Sequence, residues 1–423
     1  MKAVIMAGGF GTRIHPLTIS LPKPMIPLIN RPIMEHIVNL LKRHGITDLV
    51  LLLFHQPEII KKYFGDGSEF GVHITYVTPL EDYGTAGAVK AAARHLDERF
   101  MIISGDLLTD FDLSQVIDFH HRKQAKATIT LTSVTDPLQF GVVITDKNAR
   151  ITKFLEKPGW GEVFSDTINT GIYILEPEVL DLIPEGENRD WAKDVFPIML
   201  ETGAALYGCD MKGYWADIGN PEAYLEACRD ICHDKVFVQI EEPPVTGDGR
   251  IFISPDTEVD ERAALAGMVV LGGNTRVQGS ARLTDSVVGR NCLIEDGVIM
   301  QDAVLWDNVY VKAGTKITGA NLGHRVQIGQ RALIENGAVI ADETTVGDDV
   351  NIRPDVKIWP RKVIENGSTV SGNMIWGEKW RKSLFEGAVV RGMTNVEMTP
   401  EFSARLGTAY GSTLPKGSYV LAG

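Results

Sequence analysis

Along the first 235 positions, apolar residues fall into two alternating patterns. Short, nearly unbroken apolar runs predict strands over residues 2–6, 49–54, 73–78, 100–104, 127–134, 142–145 and 170–175. Between several of these, apolar positions recur at helical spacing and predict helices over 33–44, 58–64 and 85–95. Strands alternating with helices predict an α/β layer with a mostly parallel sheet, whose sites gather at the carboxyl ends of the strands.

The pattern changes at Val236. The run Glu241-Glu-Pro-Pro-Val-Thr-Gly-Asp-Gly-Arg250, rich in Pro, Gly and acid, reads as part of a linker over 236–250. Beyond it, every sixth residue is aliphatic: Ile253, Val259, Leu265, Leu271, Val277 and Leu283. The phase slips by four to Val287 and continues through Leu293, Ile299, Leu305, Val311 and Ile317. It slips by five to Leu322 and holds to Val370, with Gly, Asn and Asp between the aliphatic positions. A period of six predicts a parallel β-helix over 251–372, in which each short strand points one aliphatic side chain inward. A β-sandwich would not hold that period. The domains expected are therefore 1–235, the linker, 251–372, and a C-terminal segment 373–423.

Composition narrows the class. The 423 residues are 44% hydrophobic, and 55 acidic against 42 basic residues give a net charge of −13. An acidic chain is not expected to bind nucleic acid or an anionic membrane, although a local basic pocket stays open. The first apolar run is too short for a signal peptide, and no run approaches the ~20 residues of a membrane span. Cys209, Cys228, Cys232 and Cys292 are scattered, which reads as free buried thiols in a reducing cytoplasm.

The chemistry begins at the end of the first strand. Gly8-Gly-Phe-Gly-Thr-Arg-Ile-His-Pro-Leu-Thr18 is followed by Leu21-Pro-Lys-Pro-Met25. A dinucleotide fingerprint needs a third glycine inside a continuing helix, but that position is Ile14 and Pro16 interrupts any helix. Gly-Lys-Ser/Thr of a P-loop is absent. What remains is a loop whose glycines let backbone N–H groups approach phosphate, with Arg13 able to fork onto phosphate oxygens and Lys23 adding a point charge. Glycines that merely turn the chain would account for Gly8 and Gly9, but not for two cations beside rigid prolines. Asp106 ends an apolar strand and could cap a turn or hold a metal. Asp217, after Trp215, stands where an unpaired charge is costly.

This stretch resembles the signature of the sugar-1-phosphate nucleotidyltransferases, the sugar-nucleotide pyrophosphorylases. Companion motifs follow in order: Gly84-Thr-Ala-Gly-Ala88, Ser104-Gly-Asp106, Phe140-Gly141, Glu156-Lys-Pro158, Asn169-Thr-Gly171 and Tyr214-Trp-Ala-Asp-Ile-Gly219. The resemblance spans nearly all of the first domain. It implies a Rossmann-like catalytic domain followed by a left-handed β-helix, and a reaction in which NTP and a sugar 1-phosphate give NDP-sugar and pyrophosphate. By the same resemblance, Gly8, Gly9, Gly11, Thr12, Arg13, Lys23, Gly84 and Thr85 bind the nucleotide. Gly141, Glu156, Lys157, Asn169 and Thr170 bind the sugar phosphate, and Asp106 and Asp217 hold Mg²⁺. Arg13, Lys23, Asp106 and Lys157 are the catalytic set implied. The family's base-side motif often reads Pro-Leu-Gly-Thr-Ala-Gly; here Asp82-Tyr83 precede Gly84, and Glu81 is a candidate acceptor for a guanine edge.

Pro-Lys-Pro-Met and the run from Asn169 to Val179 look most like the mannose-1-phosphate guanylyltransferase branch, implying GTP and mannose 1-phosphate as substrates. Uridylyl or adenylyl transfer to glucose 1-phosphate is the alternative on the same scaffold. Ile375-Trp-Gly377, Leu384-Phe385, Thr399-Pro-Glu-Phe402 and the run 406–417 resemble the junction into a phosphohexomutase-like domain. Gly423 precedes any serine loop, so mutase activity is not expected. Two readings of other classes remain: an acyltransferase using His324 in the repeat, and a non-catalytic sensor of nucleotide sugars. The β-helix is expected to mediate homo-oligomerisation.

Overall fold

The computed structural model describes residues 1–162, 165–240, 242–245, 250–377, 379, 380, 390 and 398–415. Leu384, Phe385 and the end of the 406–417 run lie outside the described residues. The chain forms two compact units, Met1–Glu241 and Glu242–Gly423, dividing inside the segment read as a linker.

The first unit begins with β1 (Lys2–Ala7), the paired dipeptides β2 (Pro27–Leu28) and β3 (Arg31–Pro32), α1 (Ile33–Arg43), β4 (Asp48–Leu53) and α2 (Pro57–Phe64). It continues through β5 (His73–Val77), α3 (Gly84–Ala91), β6 (Phe100–Ser104), β7 (Leu107–Thr109), α4 (Leu113–Lys123) and β8 (Ala127–Ser133). β9 (Gly141–Thr145), β10 (Ile151–Glu156), β11 (Thr167–Leu175), α5 (Phe196–Glu201), β12 (Leu206–Asp210), β13 (Trp215–Asp217) and α6 (Pro221–Cys232) complete it.

Nine strands form one sheet whose main path is β10-β9-β11-β6-β1-β4-β5, with β8 branching from β11 and β12 pairing on β8. β1 is parallel to both β4 and β6, and β4 is parallel to β5. Its residues Ala3, Val4 and Ile5 are wholly buried, as an unbroken apolar run between two covered faces requires. One face packs on a core that includes α1, α2 and α4 residues, the other on a core that includes α3 and α5 residues. Beyond β6 the sheet becomes mixed: β11 runs antiparallel to β6, β8 and β9. Alternation of strands and helices signals the parallel half and is silent on this hairpin-rich half.

The chain leaves β1 toward β4 and β5, then returns to the other side of β1 as β6. That reversal is a topological switch point, and the loops after β1 and β6 open a crevice there. They carry Gly8–Lys23 and Ser104–Asp106.

The second unit is a left-handed parallel β-helix. Val277 lies beside Ile294, Val311 and Ile328 in steps of 17, then beside Val346 and Ile364 in steps of 18. Each coil thus has three sides, two of six residues and one of five or six. Asn274, Asn291, Asn308, Arg325, Glu343 and Arg361 occupy the same corner of successive coils, all in the left-handed region. The inward column is one continuous apolar core.

The period of six is present, but its phase differs from the expectation over one coil. The slip after Leu283 is five, to Val288, so Val288, Ile294 and Met300 enter the core. Val287, Leu293 and Ile299 stay out of that core: Ile299 is 38% exposed, whereas Val287 is buried outside the column. A further slip of five leads from Met300 to Leu305. Aliphatic pairs at 287–288, 293–294 and 299–300 fit either phase, and only the neighbouring coils decide. After the β-helix, α7 (Pro400–Ser412) starts at Thr399, whose hydroxyl accepts from Phe402 N at 3.1 Å.

Candidate active site

The loop after β1 turns at Gly11, whose φ is +64°. A Cβ there would sit 3.1 Å from both the Lys23 and Thr18 side chains, so only glycine fits without displacing the lysine. Thr18 Oγ1 donates to Gly11 O at 2.8 Å and closes the loop. Arg13 lies in a single 3₁₀ turn, Thr12–Ile14, which ends before Pro16. Lys23 lies in another, Lys23–Met25, entered from the extended Pro22. Burial of the two turns differs: Arg13 is exposed, whereas Lys23 is only 7% exposed.

β7 and β13 form a separate antiparallel ribbon in which Asp217 pairs with Leu107, the residue after Asp106. Ile218 N donates to Asp106 O at 3.2 Å, so the two aspartates stand side by side at one end of the ribbon. The Lys23 ammonium donates to Asp106 Oδ2 and lies 3.5 Å from Asp217 Oδ1. Burial and the neighbouring Asp106 charge push the Asp217 carboxyl up, outweighing Lys23 and Arg13. Two converging hard-oxygen donors, one of them short of positive charge, fit a divalent cation.

Two clefts meet here. The larger, about 550 Å³, is walled by Gly8, Gly9 and Phe10 after β1, by Glu81–Thr85, and by Asn188, Asp190, Lys193 and Asp194. The smaller, about 210 Å³, is walled by Arg13, Gly141, Glu156, Lys157, Asn169, Thr170 and Asp217. Ser104 and Asp106 line both. Gly8, Gly9, Gly84 and Thr85 therefore gather on one side of Asp106. Gly141, Glu156, Lys157, Asn169 and Thr170 gather on the other. Gly11, Thr12 and Lys23 lie outside both linings, with Gly11 packed against Lys23.

The small cleft is tightly built. A Cβ on Gly141 would sit 2.8 Å from Glu156 Oε2, so its absence leaves the carboxylate its place. Burial raises the Glu156 carboxyl above its ordinary value, partly offset by Lys157. Lys157 itself takes a left-handed φ of 47°, with its N–H donating to Phe140 O at 3.1 Å. A lysine held in that conformation stores strain of the kind that functional sites retain. Asn169 Nδ2 donates to Tyr173 OH at 2.9 Å. The Thr170 hydroxyl donates to Thr130 O at 2.8 Å and is buried, so Thr170 contributes wall rather than a free donor.

Asp190 belongs to none of the motifs in the sequence. Its Oδ2 accepts from Thr85 Oγ1 at 2.8 Å, and its Oδ1 accepts from the N–H groups of Ala192 and Lys193. Arg189 O accepts from Ala86 N at 2.8 Å, and Asn188 Nδ2 donates to Asp82 O at 2.8 Å. The loop 81–87 is thus stapled to 188–191. No short motif announces this; the nearest signal is Asp190 four residues before a second acid, Asp194. In the second unit, His324 Nδ1 accepts from Asp307 N at 3.2 Å and its ring lies against buried Trp306. That ring nitrogen is committed to the coil.

Residues 2–234 match the family model for nucleotidyl transferase. The chain belongs to the nucleotidyl transferase family. Residues 248–352 match a model of the EIF2B subunit epsilon LbH domain, a left-handed β-helix. A UTP–glucose-1-phosphate uridylyltransferase of Synechocystis is 35% identical over 334 residues, covering 75% of this chain and 86% of the relative. A mannose-1-phosphate guanylyltransferase of Mycobacterium tuberculosis is 34% identical over 319 residues, covering 75% and 83%. A Bacillus anthracis structure described as a glucose-1-phosphate thymidylyltransferase, in complex with sucrose, superposes with a TM-score of 0.51 at 29% identity. It covers 57% of this chain and 98% of its own. The nucleotidyltransferase is an enzyme of a family that uses divalent metal ions.

Proposed function

We propose that this nucleotidyltransferase joins GTP and mannose 1-phosphate to give GDP-mannose and pyrophosphate. The observation that carries the reading is the pair of clefts sharing Asp106: Gly8, Gly9, Gly84 and Thr85 of the set expected for the nucleotide wall one, and the set expected for the sugar phosphate walls the other, with Arg13 beside it. Relatives named for guanylyl transfer to mannose 1-phosphate support the choice of base and sugar.

In this reading the base lies against Gly8 and the 81–85 loop, with Gly84 and Thr85 at the ribose. Glu156 and Asn169 orient the sugar, and Lys157 holds its phosphate at the junction. A phosphate oxygen of the sugar attacks the α-phosphorus in line; that P–O bond forms as the bond to pyrophosphate breaks. Arg13 stabilises the departing pyrophosphate, and Lys23 steadies the reacting phosphates and Asp106. Asp106 and Asp217 would hold Mg²⁺, which supplies charge neutralisation to the phosphates. No side-chain nucleophile is needed, because positioning and electrostatics carry the rate.

The domain limits proposed are 1–235, 251–372 and a phosphohexomutase-like start at 373–423, joined by 236–250. Self-association through the β-helix is part of the proposal, supported by the half-exposed apolar side chains Ile299, Leu333 and Val363 on its outer surface. Among the described residues no helix is long and apolar enough to cross a membrane, and the four cysteines are buried thiols outside any disulfide. Those thiols support a cytoplasmic site of action.

A second reading, uridylyl transfer to glucose 1-phosphate, is favoured by the Synechocystis relative at 35% identity. A pyrophosphate-release panel decides: GTP, UTP, ATP, CTP and dTTP, each with mannose, glucose and N-acetylglucosamine 1-phosphate. Turnover highest with GTP and mannose 1-phosphate is expected. Turnover with UTP and glucose 1-phosphate alone overturns the guanylyl assignment, and no turnover with any pair supports a non-catalytic sensor.

A further inference from the structure

The β7–β13 ribbon sets the spacing of the two aspartates, yet it has only three residues in each strand and stands apart from the nine-stranded sheet. A free two-stranded ribbon is marginal in water. This one must also hold Asp217 beside a like charge. Its geometry has to be imposed from outside.

At the aspartate end, Gly105 N donates to Met6 O at 2.8 Å; at the opposite end, where Trp215 pairs with Thr109, Trp215 Nε1 donates to Thr170 O at 3.0 Å. The remaining ties of that end run through Tyr214. Its N–H donates to Asp110 Oδ1 at 2.7 Å, and its carbonyl accepts from Thr109 Oγ1 at 2.7 Å. Its phenol donates at 2.9 Å to Oδ2 of Asp230, a carboxylate only 7% exposed on α6. Asp230 Oδ1 in turn takes the Lys235 ammonium at 2.7 Å. The preceding Gly213 has a φ of +137°, and a Cβ there would lie 2.8 Å from Asp110 Oδ1.

We infer that Asp230, acting through Tyr214, is a positioning residue for Asp217. The clamp ties the far end of the ribbon to α6 and so fixes the register that brings Asp217 beside Asp106. The inference rests on the assignment of Asp106 and Asp217 as metal ligands. Residues that orient ligands without touching the metal commonly change affinity by about 10-fold or more when removed.

The test is Mn²⁺ binding to the full chain, followed by electron paramagnetic resonance of the free ion, without substrate. Tyr214→Phe and Asp230→Ala are expected to weaken Mn²⁺ binding about 10-fold. Asp230→Asn keeps an acceptor for the phenol and is expected to stay within about twofold of wild type. Circular dichroism checks folding of each variant; should Asp230→Ala not fold, Tyr214→Phe decides. Wild-type Mn²⁺ affinity in folded Tyr214→Phe overturns the clamp. A control separates the underlying assignment: if Asp217→Asn binds Mn²⁺ as wild type does, the ligand assignment fails and the clamp fails with it.

Discussion

Replacing Asp217 by asparagine should make the metal-free protein more stable while removing its metal response. The side chain keeps its shape and loses a charge that its surroundings disfavour. Burial and Asp106 raise the Asp217 carboxyl; Lys23, 3.5 Å away, and Arg13 pull the other way and do not cancel them. At an effective dielectric of about 20, unit charges 4 Å apart interact by about 4 kcal/mol. The Asp106 repulsion and the Lys23 attraction share that scale and oppose one another, leaving burial to set the sign. Relieving a charge that its surroundings disfavour is among the changes that commonly stabilise a protein by about 0.5–2 kcal/mol, here roughly 1 kcal/mol. For a unit of this size that is about 2–4 °C in melting temperature.

The pH dependence follows from the same direction of shift. A carboxyl whose folded value lies above the ordinary 3.8 keeps its proton longer in the folded state. Its contribution is therefore present at low pH and lost as pH rises through the folded value. The advantage of Asp217→Asn appears only above that window. Calorimetry in EDTA near neutral pH should show the catalytic unit of the variant melting about 2–4 °C higher. Adding Mn²⁺ should raise wild type and leave the variant unmoved. A variant melting below wild type in EDTA would show that the Asp217 charge is well compensated, and one gaining as much from Mn²⁺ would show that Asp217 is no ligand.

Four other outcomes are expected. Arg13→Ala should lower kcat by roughly 100-fold or more with little change in melting temperature, as for removal of one preorganised charge stabiliser; steady-state kinetics checks it. Gly141→Ala should raise KM for the sugar 1-phosphate and spare KM for the nucleotide, because its Cβ intrudes on Glu156; equal effects on both would contradict the two-cleft assignment. In the β-helix, Met300→Ala should cost about 2–5 kcal/mol and Ile299→Ala within about 0.5 kcal/mol, measured by denaturant unfolding; the reverse order would restore the other phase. Burial lowers the pKa of His36, whose Nε2 donates to Leu28 O at 2.8 Å. Its stabilising contribution is full above the ordinary 6.5 and is lost as pH falls from there toward the lowered value. Melting temperature should drop across that window less steeply in His36→Gln than in wild type.

Much of the site was legible because its residues sit in motifs read straight off the chain. Gly8, Gly9, Gly84 and Thr85 gather in one cleft; Gly141, Glu156, Lys157 and Asn169 gather in the other. What could not be read is whatever acts across the sequence. Asp190 works by hydrogen bonds to Thr85, 105 positions away, and its own neighbourhood carries no periodic signal. The β7–β13 ribbon is too short for an alternation pattern, so the side-by-side placement of Asp106 and Asp217 is a product of the fold. In the β-helix, the period was visible and the phase was not where adjacent residues are both aliphatic. Only coil-to-coil pairing separates Leu293 from Ile294.

If the reaction occurs at Asp106, nucleotide lies in the cleft on one side of that carboxylate and sugar in the cleft on the other. A crystal structure with Mn²⁺ and GDP-mannose tests it directly. An anomalous peak is expected between Asp106 and Asp217, with guanine against the 81–85 loop and mannose against Glu156 and Asn169. A peak elsewhere, or a nucleotide lying in the cleft of Glu156, would contradict it.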